Sequence, residues 1–127
     1  VSGTWEPVGW ALCAPMSKAE GVSVNVQTSG GGVENLRTVS PGDRDIGMAM
    51  YSLGVYAQDG VEAFKGNKLD NIRGIAVFMP IVAPFAVREG GGITSVAQLK
   101  GKSIGIGAPG SGAEVCGREI LDPNGLY

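Results

Sequence analysis

Two short runs, Ser29-Gly30-Gly31-Gly32 and Pro109-Gly110-Ser111-Gly112, have the residue types that hold an anion by backbone alone. Each follows a candidate strand and precedes a candidate helix. Such a turn aims unpaired N–H groups and the positive end of a helix dipole at one spot, which suits a carboxylate or a phosphate. The second run lies in GKSIGIGAPGSGAEVCGREIL, residues 101–121. There Ser111 and Glu114 have the S-x-x-E spacing of a capping box, and Glu114 with Arg118 makes a favourable i,i+4 pair. Gly105, Gly107 and Gly110 also match G-x-G-x-x-G, the dinucleotide fingerprint, but no acidic residue follows about 20 positions on. A phosphate-binding loop of the G-x-x-x-x-G-K type fails, since no Lys follows the last Gly. The plain alternative is a tight turn in any α/β domain.

The rest of the composition puts enzyme readings behind. The chain has no His, which excludes Ser-His-Asp and Cys-His catalysis and takes away the commonest metal ligand. Cys13 and Cys116 lack the C-x-x-C spacing of a zinc or redox site. They are expected as single thiols, or as a disulfide if the protein is exported. Neither a metal nor a cofactor is expected. A net charge of −2 without a basic block argues against nucleic acid or an anionic membrane as partner. No apolar run approaches the roughly 20 residues that span a bilayer. No signal peptide is visible, so the chain is read as mature, trimmed or never exported. Its 127 residues support one modest domain or a piece of a larger one.

The elements that would position these turns follow from periodicity. Pro7 suits the first turn of a helix, and Pro15 should end or kink that helix near Ala14. Val22, Val24 and Val26 alternate with polar residues as a half-buried strand does. The glycines after Ser29 open a helix with Val33 and Leu36 on one face. Residues 45–50 read as a buried strand ending at Tyr51 and Ser52, ahead of a helix over about 53–64. Residues 72–77, 83–88 and 103–107 read as further strands, with Pro80 and Pro84 restricting one connection and a short helical turn over 96–99. Strands alternating with helices imply an α/β fold whose mainly parallel sheet is covered on both faces. In such sheets ligands bind at the strand carboxyl ends.

Several of these runs together resemble a known family. GTWEPVG, QTSGGGVENLR, DIG before a helix, and ITSVAQLKGKSIGIGAPGSG are similar, in order and spacing, to the TAXI-type solute-binding proteins of tripartite ATP-independent periplasmic (TRAP) transporters. The resemblance implies a type II periplasmic-binding-protein fold of two α/β lobes, outside the cytoplasm, with no enzymatic activity. The lobes would close on a small organic anion, an amino acid or a dicarboxylate such as glutamate, and deliver it to a membrane permease. Residues 1–87 would form the first lobe without its opening strand. Residues 88–127 would form the crossover and the first strand-helix unit of the second, so the chain is read as a fragment. The ligand contacts expected are Thr4, Trp5, Ser29, Gly30, Gly31, Tyr51, Ser52, Pro109, Gly110, Ser111 and Gly112. The chain departs from the family pattern at Glu6, Gly32 and Met50-Tyr51-Ser52. An incomplete sheet is expected to self-associate, through an exposed edge or by exchange of the arm beyond Gly90-Gly91-Gly92. The alternative is a nucleotide-binding, Rossmann-like domain of an oxidoreductase.

Overall fold

A computed structural model describes residues 5–127; Thr4, one of the expected ligand contacts, lies outside them. The α-helices are α1 (Trp5–Met16), α2 (Gly32–Val39), α3 (Tyr51–Asp59) and α4 (Gly112–Leu121). Short 3-10 turns occupy Glu62–Phe64, Val96–Leu99 and Asp122–Asn124. Pro15 stands in the last turn of α1, one residue before its end, as a residue that cannot continue the backbone ladder should. α2 starts behind the glycine run and buries Val33 and Leu36, the pair that the sequence places on one face. α3 starts at Tyr51, earlier than expected. It stops at Gly60, which takes the left-handed conformation at φ 70°, so Phe64 belongs to a separate turn.

The expected α/β fold with a mainly parallel sheet is corrected: there is no strand among the described residues. Residues 22–26, 45–50, 72–77, 83–88 and 103–107 carry neither helix nor ladder. Alternating side chains say which residues share a face. A strand also needs a neighbour to take its N–H and C=O groups, and alternation says nothing of that neighbour. Ile104 and Ile106 illustrate the difference. Both are half-buried, and Gly117 lets α4 lie so close to Ile106 that a Cβ on Gly117 would stand 2.8 Å from the Ile106 Cβ. The segment is apolar because it lies on a helix.

The core joins α2, α3 and α4. Val33 and Leu36 pack with Leu53 and Ala57, and Phe64, Leu69, Ile72 and Val115 complete the cluster. Polar side chains then set the entry to α3. Asn35 of α2 donates to the Met48 carbonyl at 2.7 Å, and its own side-chain oxygen accepts from Arg44 at 3.1 Å. Residues 44–48 are thereby held along α2, and the N-terminus of α3 is brought beside that of α2. α1 buries none of its residues and meets this segment where Gly9 approaches the Met48 sulfur.

Candidate functional site

Three helices begin at one junction. A Cβ on Gly31 would lie 2.8 Å from the Gly110 oxygen and 3.1 Å from the Ser111 Cα, so the two glycine runs are in backbone contact. The Val33 N–H points at the same Gly110 carbonyl, 3.4 Å away. Gly112 faces Met50, the residue before α3, closely enough that a Cβ would stand 2.7 Å from its sulfur. Gly32 is equally tight against Leu53. The structure therefore brings together the Ser29–Gly31, Tyr51–Ser52 and Pro109–Gly112 residues. Trp5 opens α1 and is half-buried there, apart from these contacts. Tyr51 holds its side chain in solvent at 79% exposure.

The helix ends leave donors at this junction. Ser111 accepts from the Glu114 N–H at 3.2 Å, the cap read from the sequence. Ser29 accepts from the Gly31 N–H at 3.3 Å. The N–H groups of Gly32, Tyr51, Ser52, Gly112 and Ala113 have no acceptor among the described residues. These groups carry the positive ends of three helix dipoles.

Two internal carboxylates already serve the turns, and the sequence reading missed one. Glu114 accepts from the Gly110 N–H at 2.8 Å, one residue before the donor a capping box would use. Glu34 does the same for Gly30 at 2.7 Å. Their common Gly-x-x-x-Glu spacing is the signal that could have found both. Each carboxylate is matched by an arginine, Glu34 by Arg44 at 3.5 Å and Glu114 by Arg118 at 2.8 Å. The Arg118 hydrogen bond, then the Gly110 N–H, hold the Glu114 carboxyl below the usual carboxylate range. Paired in this way, the glutamates add no net charge beside the free donors.

Beside the junction runs an open groove of about 940 Å³ between α2 and α4. Gly30, Pro109 and Gly110 stand at its glycine-turn end, while Val33, Leu53 and Val115 supply apolar lining. Tyr56 and Glu119, also on its walls, are hydrogen-bonded at 2.8 Å. That bond raises the Tyr56 pKa, with desolvation adding to it, so the phenol stays protonated. Cys116 and Cys13 are both free thiols. Burial and the nearby Glu119 push the Cys116 thiol up, away from the reactive thiolate. Gly107 is packed against its own helix, where a Cβ would meet Ala113 at 2.8 Å and the Ser111 hydroxyl at 2.9 Å. Its small size is thus used inside the chain. No group of three or more His, Cys, Asp or Glu residues that could hold a metal occurs among the described residues.

The model of the NMT1-like family matches residues 1–127. The chain belongs to the NMT1-like family. This is a family of periplasmic-binding-protein-like chains, and it gives this member the general role of solute binding outside the cytoplasm, with a small ligand as partner. It is a binding-protein family rather than a family of enzymes. No solved structure matches this NMT1-like chain.

Proposed function

We propose that this NMT1-like protein captures a small organic anion, an amino acid or a dicarboxylate such as glutamate, and delivers it to a TRAP-type permease as TAXI-type binding proteins do. The observation that carries the reading is the meeting of three helix N-termini with free N–H groups on Gly32, Tyr51, Ser52, Gly112 and Ala113. Backbone donors preorganised in this way bind a carboxylate without a charged side chain. Residues 1–87 and 88–127 would both supply donors to the ligand, since α2 and α3 come from the first part and α4 from the second. Ser29, Gly30, Gly31, Pro109, Gly110 and Ser111 would shape the turns around the ligand.

Calorimetric titration with L-glutamate and with succinate tests the reading, using Gly112→Pro as the site variant. Ser111 is extended at φ −78° and ψ 158°, which a following proline accepts, and a proline at the first helical position keeps the helix. A Cβ there meets only the flexible Met50 side chain, while the Gly112 donor is lost. Binding by the parent and roughly tenfold or greater loss in Gly112→Pro are expected. Silence towards both anions, or equal affinity in the variant, would count against the site.

A further inference from the structure

Residues 72–88 run without a turn or bend, and everything from Arg73 to Gly92 is exposed. No residue over 74–87 carries a charge. Ile75, Val77 and Val82 are 80%, 81% and 82% exposed, and Phe78, Met79, Ile81, Phe85 and Val87 are also open to solvent. Among the described residues, no backbone N–H or C=O over 74–87 has a hydrogen-bond partner. An extended apolar segment with unpaired backbone is a template for another strand.

The prolines decide how many strands it can take. In an extended chain the N–H and C=O groups of alternate residues point to opposite edges. Pro80 and Pro84 are both even-numbered, so both missing donors fall on one edge. The other edge, formed by residues 75, 77, 79, 81, 83, 85 and 87, is complete. One edge accepts a partner and the other refuses it, which limits association to a pair and excludes an open stack.

We infer that 74–88 is a self-pairing strand, and that its occupant is a second copy of this chain, bound antiparallel about a two-fold axis at Ile81. This register places the complete edges together and brings both prolines to the outside. Just beyond the paired residues it brings Arg73, which also donates to its own Asp70 and Ile72 carbonyls, towards Glu89 of the partner subunit in the turn after the strand, and symmetry repeats that opposite-charge pair at the other end. It also sets Ile75 opposite Val87 of the partner subunit and Val77 opposite Phe85 of the partner subunit. Phe85 and Val87 border an apolar hollow of about 250 Å³ with Ile93, Val96 and Leu99. Thus two of the three most exposed branched side chains of one copy, Ile75 and Val77, come beside the hollow of the other. The pairing is independent of the anion reading, since none of the junction residues takes part.

Analytical ultracentrifugation of the full chain over a dilution series is the test, with two proline variants that differ only in edge. Ile81→Pro puts a proline on the complete edge and should weaken the dimer roughly tenfold or more. Val82→Pro adds one to the edge already blunted and should leave it unchanged. Arg73→Glu should weaken association about fivefold, and adding Glu89→Arg should restore it. Because these side chains lie outside the core, far-ultraviolet circular dichroism should be the same in all variants at dilutions where each is monomeric. A monomer throughout the series, equal loss in both proline variants, or assembly beyond the dimer would each overturn the inference. So would a charge-swapped double variant no better than Arg73→Glu alone.

Discussion

Gly31 holds φ 132°, a backbone conformation that side-chain-bearing residues rarely adopt, and has the Gly110 oxygen where a Cβ would go. Gly30 beside it is limited only by the movable end of Glu34, whose oxygen a Cβ would meet at 2.9 Å. Two neighbouring glycines therefore carry different penalties. Gly31→Ala should destabilise the fold by about 1–3 kcal/mol and force the two glycine turns apart. Gly30→Ala should cost well under half of that, because a side chain can yield where a backbone cannot. Urea unfolding of both variants checks this, and equal losses would mean that the turns are not in backbone contact. Nothing in the sequence ranks these glycines, since the distinction comes from a turn that lies far along the chain. What could be read was the residue type: a glycine run ahead of an apolar face, with Ser111 and Glu114 spaced to cap. Glu34 escaped notice because its reach to Gly30 has no hydroxyl partner to complete a recognisable box.

At the scale of the element, helix starts were readable and strands were not. The onset of α2 behind Ser29, the α4 cap and the turn at 96–99 all rest on local chemistry, whose partners lie within four residues. Each segment expected as a strand rested on alternation or on a short apolar run, and its hydrogen-bond partner would have to come from elsewhere in the chain. Local capping also makes α4 sensitive to acid. The Glu114 carboxyl is held below its ordinary value by Arg118 and the Gly110 N–H, so it binds protons more weakly folded than unfolded. Its stabilisation is therefore complete above the ordinary carboxylate range and is lost as pH falls through the depressed folded value. Glu114→Gln should cost about 1 kcal/mol at neutral pH and flatten the acid side of the stability curve. Thermal unfolding of both forms from neutral to acidic pH checks it. Parallel curves would show that the carboxylate is not coupled to the fold.

For the whole molecule, burial and exposure divide the chain unevenly. The apolar cluster draws on α2, α3, the 3-10 turn at Phe64, Leu69, Ile72 and Val115, whereas the stretch from Arg73 to Gly92 adds no buried residue. Backbone amides behind the cluster should open only with much of the fold, and those of an unpaired exposed segment should exchange almost freely. Self-pairing adds a finer pattern, because each residue in an antiparallel pair turns its N–H either to the partner or away. In the dimer the amides of Ile75, Val77, Met79, Ile81, Ala83, Phe85 and Val87 should be slowed, while those of Ala76, Phe78, Val82 and Ala86 stay fast. Dilution should erase that alternation and leave the protection of α2, α3 and α4 in place. Residue-resolved hydrogen exchange by nuclear magnetic resonance, at two protein concentrations, reads both effects together. Equal exchange at odd and even positions in the concentrated sample would remove the strand pairing. Protection over 74–87 that survives dilution would instead place the partner of that segment within a single chain.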